Sequence, residues 1–337
     1  MRPTLKDVAS RAGVSYQTVS KVLNGQAQVA EETEARIWQV INELHYRSNV
    51  SARNLRTQAS NLIGHALPAF TANTYHPVLD EFLLSIAVAA EHQGYHVLSF
   101  AVGEDGYYDT GPYGQLYARQ QVAGFILANT IHNDARVRFL MERQAPFCAF
   151  GRANEAWDFC WVDVDGRAGS AAATEHLIGR GHRRIGFLTW PAGSQSGWHR
   201  EQGYLAALDQ AGLAADPIWI RRGQNSAQAG AEGMAQLLAL PAERRPSAAV
   251  CVSDLVAIGA LKAISAAGLV AGRDVGVTGF DDVPLAEFIQ PALTSVRQPV
   301  KQVGEQVIAL LLKQIHGQPI ASKCVLLKPE LIVRASS

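Results

Sequence analysis

From Asn61 onward the chain alternates short apolar runs with amphipathic segments, and this rhythm limits the fold more than any other feature of its 337 residues. Candidate strands are Leu62–Leu67, His96–Ala101, Gly124–Ala128 and Pro146–Phe150, separated by helical patterns over Pro77–Gln93, Tyr113–Gln121 and Asp134–Gln144. A second set follows, with strands Arg184–Trp190, Ile218–Arg222, Ala248–Val252 and Val275–Phe280 and helices Arg167–Gly179, Trp198–Ala211, Ala227–Leu240 and Leu255–Ala267. Regular alternation of this kind predicts parallel sheets, here two doubly wound α/β units. Ligands in open α/β sheets bind beyond the carboxyl ends of the strands, so a cleft between the two sheets is the default site.

The first sixty residues have a different texture. Leu5, Val8, Ala9 and Ala12 repeat with helical spacing, and Thr4 with Asp7 forms a Thr-x-x-Asp cap ahead of them. Gly13 ends that helix. Ser15 is a second N-cap, followed by Val19, Val22 and Leu23 at three-to-four spacing until Asn24-Gly25 stops the run. Ile37, Val40, Ile41 and Leu44 give a third helix an apolar face. Two short helices about a tight turn suit a helix-turn-helix, which lays the start of its second helix in the DNA major groove. In that geometry Tyr16 and Gln17 face base edges, while Thr18, Ser20 and Lys21 hold phosphates or bases nearby. Periodicity alone equally fits a helical hairpin that merely closes a small core.

Charge separates the two regions. The whole chain is neutral, yet residues 1–60 carry eight Lys and Arg against five Asp and Glu, a net +3 on a body of −3. A small basic module on a mildly acidic body is expected where one end touches phosphates. The 48% hydrophobic and 18% charged content suits a globular protein with a sizeable core. Cys148, Cys160, Cys251 and Cys324 show no metal spacing and are expected as free buried thiols. No secretory signal and no apolar run of membrane-spanning length occurs, which predicts a cytoplasmic protein with no membrane association.

The run Thr4–Asn24, the third helix and the segment Asn49-x-x-Ala52-Arg53-x-Leu55 together resemble the headpiece of the lactose/galactose repressor (LacI/GalR) family, and the resemblance continues to the last strand. It implies a helix-turn-helix headpiece over 1–47, a hinge over 48–60 and an effector-binding, dimerising core over 61–337 that resembles periplasmic sugar-binding proteins. Fold analogy puts crossings between subdomains near Val164, Leu293 and Lys323, giving an N-subdomain of 61–164 and 294–322 and a C-subdomain of 165–293 and 323–337. The resemblance also implies DNA contacts from Thr4, Ser15, Tyr16, Gln17, Thr18, Ser20, Lys21, Asn24, Asn49, Ala52, Arg53, Leu55 and Arg56. Leu55 matches a leucine that wedges into a minor-groove step, an exchange of base unstacking for bent DNA. Two departures stand out: Ala30 replaces a capping hydroxyl at the third helix, and Ser48 replaces a hinge proline.

In the core, Arg200 and Asp281 match the family's effector-contacting arginine and aspartate. An arginine fork grips vicinal hydroxyls or a carboxylate, and an aspartate at a strand's end accepts two hydroxyl hydrogens. A turn or helix cap suits Asp281 as well, and Asp282 beside it is expected to cap. His76 stands where the family often has Asn. Ser196 and Asn225 fall at weaker effector positions, Asn129 ends a strand, and Trp190 and Trp198 are candidates for an apolar floor. The two histidines of Glu175–Gly186 read as a helix-to-strand turn rather than a metal site. Phosphate-loop, dinucleotide, zinc-protease and nucleophile-elbow motifs are missing, so neither enzymatic activity nor a cofactor or metal is expected.

These observations predict a ligand-responsive transcriptional regulator, a repressor of sugar-utilisation genes. It is expected to bind a pseudo-palindromic double-stranded DNA operator as a homodimer, with Leu255–Ala267 and Val283–Ile289 forming part of the dimer face, and to take a mono- or oligosaccharide in its cleft. Without a heptad tail after the last strand, tail-mediated tetramers are not expected. The rivals are a sugar-binding protein without sequence-specific DNA function and a sugar-modifying enzyme.

Overall fold

A computed structural model describes residues 3–23, 29–46, 60–67, 77–102 and 108–337. The chain divides into two compact units, residues 1–60 and 61–337. In the first, α1 (Leu5–Ala12), α2 (Tyr16–Leu23) and α3 (Glu31–Glu43) close a core of Val8, Ala9, Ala12, Val19, Val22, Ile37, Val40 and Ile41. Thr4 and Asp7 form the reciprocal capping box, and Gly13 ends α1 at φ 66°, a left-handed conformation that costs glycine little. The Ser15 hydroxyl accepts the Thr18 amide at 3.1 Å and starts α2. Ala30 gives α3 no side-chain cap, although Glu31, Glu32 and Glu34 still favour its positive end.

The second unit holds two six-stranded sheets. The first is built from β1 (Leu62–Leu67), β2 (His96–Ala101), β3 (Gly124–Leu127), β4 (Phe147–Phe150), β5 (Cys160–Val164) and β11 (Cys324–Leu327), in the order β11-β5-β4-β3-β1-β2 and parallel throughout. Helices α4 (Pro77–Glu91) and α12 (Val300–Ile315) cover one face through Phe82, Ile86, Val303, Val307 and Leu311. Helices α5 (Gly111–Ala118) and α6 (Ala135–Glu142) cover the other through Tyr113, Val137 and Leu140.

The second sheet runs β12-β10-β9-β8-β6-β7, from β6 (Ile185–Thr189), β7 (Ile220–Arg222), β8 (Ala248–Cys251), β9 (Gly276–Asp281), β10 (Thr294–Arg297) and β12 (Glu330–Ile332). Only β12 is antiparallel to its neighbour. One face carries α7 (Gly166–Gly179) and α8 (Gln195–Gln210), the other α9 (Ala227–Leu238) and α10 (Asp254–Ala266), with the short α11 (Leu285–Phe288) beside them. Central strands such as β3, β6 and β8 are buried along their whole length, which is why they read as unbroken apolar runs.

The chain crosses between the sheets three times. The first crossing follows Val164, near where it was expected. The other two are displaced: β10 joins β9 in the second sheet, so Thr294–Arg297 does not belong to the N-subdomain, and β11 stays with β5 in the first. Crossings therefore fall at Gln298-Pro299 and at Lys328-Pro329 rather than near Leu293 and Lys323. Thr294 and Ser295 are buried through hydrogen bonds, not apolar side chains, and that hides β10 from hydrophobic patterning. Residues Pro217–Trp219, expected to begin a strand at Ile218, make a 3-10 turn before β7.

Cys148, Cys160 and Cys251 are free and buried as expected, whereas Cys324 is exposed because β11 is an edge strand. Among the described residues no helix is long and apolar enough to cross a membrane, and no cluster of His, Cys, Asp and Glu could hold a metal ion. His176 and His182 instead meet the hydroxyls of Ser337 at 2.9 Å and Ser247 at 2.8 Å.

Candidate functional site

A cavity of about 470 Å³ lies where the carboxyl ends of both sheets meet. From the first sheet come Asn129, Thr130 and Ile131 after β3, Phe150 and Arg152 at β4, and Asp163 on β5. From the second come Trp190 after β6, Ser196, His199 and Arg200 on α8, Asn225 after β7, and Asp281 at the tip of β9. Five of the six expected effector residues, Asn129, Ser196, Arg200, Asn225 and Asp281, thus share one lining. The sixth, His76, lies outside the described residues. An isolated backbone bridge joins Ile131 to Ser194 across this cleft.

Helix α8 delivers Arg200 into the protein, where the residue is only 6% exposed. Its guanidinium lies 3.6 Å from the Phe280 ring centre and 5.1 Å from that of Trp190, and Nη1 donates to the Val252 carbonyl. The same nitrogen is 3.7 Å from Asp281 Oδ1, while Nε has no partner among the described residues. Burial of the guanidinium lowers the Arg200 pKa, and the nearby Asp281, Asp163 and Asp254 oppose that shift.

Asp281 adopts φ 121°, strained for a residue with a side chain, and so turns its carboxylate into the site. It accepts Gln298 Nε2 at 2.7 Å and the Asp254 amide. Burial pushes its carboxyl up to about 6, against the pull of Arg200 and these donors. Asp254, behind it, accepts Ser295 Oγ at 2.5 Å and the Val283 amide at 2.8 Å. Burial first and Asp281 second hold the Asp254 pKa well above the ordinary range. Asp282 does not cap the following helix, whose N-cap is Pro284; Arg297 and Arg334 grip it at 2.7 and 2.6 Å instead.

Arg152, Asp163 and His199 are among the polar groups of the lining that were not singled out from the sequence. Arg152 Nε donates to Asp163 Oδ2 at 2.7 Å, and both are largely buried. Burial raises the Asp163 pKa, with Arg152 and then Arg200 opposing it. His199 is held at about 4 by burial and by the neighbouring Arg152 and Arg167, so its imidazole is neutral at physiological pH. An aspartate interrupting the apolar run Cys160–Val164 was the available signal for that pair; nothing marked His199. Of the two tryptophans, Trp190 lines the cavity, whereas Trp198 is 52% exposed and stacks edge-on against His199.

On the small unit, α2 buries Val19 and Val22 and leaves Tyr16, Gln17 and Lys21 exposed on its other side. The Thr18 hydroxyl is engaged with that of Ser15 at 2.8 Å, and Ser20 is half-buried. Thr4 is committed to the α1 cap. Asn24, Asn49, Ala52, Arg53, Leu55 and Arg56 lie outside the described residues.

Residues 4–49 match the family model described as bacterial regulatory proteins, lacI family, and residues 174–337 match that of a periplasmic binding protein-like domain. The HTH-type transcriptional repressor CytR of Escherichia coli (strain K12) is 32% identical over 340 residues, covering 99% of this chain and 96% of that protein. The chain belongs to the LacI family. Another relative, the HTH-type transcriptional repressor PurR of Yersinia pestis bv. Antiqua (strain Antiqua), is 31% identical over 335 residues with the same coverage. As a LacI-family transcriptional repressor, the protein combines a DNA-binding helix-turn-helix with an effector-binding domain. Solved structures agree at full length. The Lac repressor dimer bound to operator and the anti-inducer ONPF superposes with a TM-score of 0.86 at 28% identity, covering 100% of this chain and 99% of that one. A CelR–cellobiose complex gives 0.75 at 30% identity and covers both chains completely.

Proposed function

We propose that this LacI-family repressor binds a pseudo-palindromic operator as a homodimer and that a saccharide in the inter-sheet cleft controls its affinity for DNA. The observation that carries the effector reading is the Arg200–Asp281 pair, a donor fork beside an acceptor carboxylate at the strand tips. Such a pair meets a vicinal diol on both its donor and acceptor sides. Phe150 and Trp190 add apolar surface for the ring's C–H face. The cellobiose held by CelR and the ligand-bound Lac repressor dimer support the same ligand class and assembly. Exposed Leu285 and Phe288 suit the proposed dimer face, while much of Leu255–Ala267 is buried within the subunit against α9 and the sheet.

Two-fold symmetry then matches two half-sites, each met by one α2, with residues 48–60 over the operator centre. A ligand that prefers one angle between the sheets favours the DNA state with the same angle, by linkage. In this reading the protein represses sugar-utilisation genes and acts in the cytoplasm.

Selection of operator sequences from a random pool by the full-length protein tests the reading. A palindromic site bound more weakly as salt rises is the expected result, since the release of counterions from the phosphates favours binding less as bulk salt increases. A chain with no sequence preference at low salt would be no operator-specific repressor. Gln17→Ala should relax preference at particular base pairs by about 1–3 kcal/mol, and Lys21→Ala should weaken all sequences alike with a shallower salt slope. Uniform loss for both variants would remove Gln17 from base recognition.

A further inference from the structure

The cleft holds a second ion pair besides Arg200–Asp281. Arg152 and Asp163 stand on the first sheet at 2.7 Å, Arg200 and Asp281 on the second at 3.7 Å, and all four line one cavity. Their side chains retain only 8–17% exposure. Among the described residues of the lining each arginine already faces a carboxylate and His199 is neutral, so although Arg200 Nε keeps a free N–H the wall offers no net positive charge to a ligand. A phosphate or carboxylate entering here must lie beside Asp163 or Asp281 in a low-dielectric site or displace one of them from its arginine. Either leaves a buried negative charge uncompensated, which is strongly unfavourable. A hydroxyl avoids the conflict because it donates to the carboxylate and accepts from the guanidinium together.

Resting on the saccharide reading above, we infer that the effector is an uncharged sugar whose hydroxyls engage both ion pairs. In this role Arg152 and Asp163 determine specificity on the first-sheet wall and exclude phosphorylated and acidic sugars. The wall gives them a fixed position. Asp163 accepts the Val164 amide at 2.8 Å, and the Arg152 guanidinium carbon lies 5.7 Å from the Trp161 ring centre.

The test is isothermal titration of the full-length protein, after a thermal-shift screen, with glucose, galactose, ribose, lactose, maltose and cellobiose. These are matched against glucose 6-phosphate, ribose 5-phosphate, glucuronate and galacturonate. A neutral sugar should bind at least tenfold more tightly than its anionic counterparts. Asp163→Asn, whose folding is checked by circular dichroism and melting temperature, frees the Arg152 charge. It should weaken the neutral sugar at least tenfold and raise the anionic-to-neutral affinity ratio at least tenfold. Equal or tighter binding of an anionic sugar by the unaltered protein overturns the inference and leaves the saccharide reading standing. Unchanged binding and selectivity in both Asp163→Asn and Arg152→Gln removes the specificity role from this pair. If no sugar of either kind binds, the saccharide reading falls together with the inference.

Discussion

Asp281 sits near a protonation boundary, with its carboxyl pushed up to about 6. Only the ionised form can accept both hydrogens of a diol, so saccharide affinity should fall as pH drops from 7 through 6, by at most about tenfold per unit. Titration calorimetry of the protein and of Asp281→Asn at matched pH should show this slope in the first and a flat, weaker profile in the second. Stability runs the other way. A carboxyl raised above the usual 3.8 destabilises the ionised folded state, so its contribution improves as pH falls through 6 toward 4. His199 opposes this, since an imidazole held at about 4 loses stability as pH falls below 6.5. The melting-temperature difference between protein and Asp281→Asn isolates the carboxyl, and binding loss with the opposite sign of stability change separates titration from unfolding. Arg200 and Asp281 were legible as individual residues because each follows a strand in a recognisable motif. Their strained and stacked geometry was not, because φ 121° and the Phe280 contact arise only from packing.

Elements built on apolar periodicity were read well, and those built on backbone packing were not. Strands β1 and β2 begin and end where the apolar runs do. Strand β5 carries an aspartate, β10 is rich in hydroxyls, and β11 and β12 are half-exposed edge pieces, so none gives a clear pattern. The helix pairs hide another feature. A Cβ at Gly259 of α10 would collide with the Ala227 carbonyl oxygen of α9, one at Gly230 of α9 with the Val256 carbonyl of α10, and one at Gly203 of α8 with the Arg167 carbonyl of α7. These glycines are not turn formers; they let whole helices approach to backbone contact. Gly259→Ala should therefore cost about 1–3 kcal/mol by forcing α9 and α10 apart. Denaturant unfolding would measure it, and a change below about 0.5 kcal/mol would show that the pair repacks freely.

At the scale of the molecule the two sheets are interlocked by sequence. Each contains strands made before and after those of the other, and the three crossings tie β5, β10 and β11 to elements on the opposite side. Neither sheet can lose its late strands alone, so calorimetry should find both melting in one cooperative transition within the 61–337 unit. Two resolved core transitions would contradict this. The second crossing also reaches the cleft: Gln298 bonds Asp281 directly, so a ligand on that carboxylate would touch the connection between the halves.

The same interlocking bears on how the protein is made. Strands β1 to β5 leave the ribosome first, yet α12, which covers Ile63, Phe82 and Ile126, and the edge strand β11 are synthesised only after the whole span up to Leu327. At about 5–20 residues per second, the nascent first sheet waits on the order of ten to thirty seconds with the α12 side of one apolar face bare, since α4 covers only the rest of it. The repressor's production should therefore be more sensitive to chaperone supply and translation speed than its finished stability would suggest.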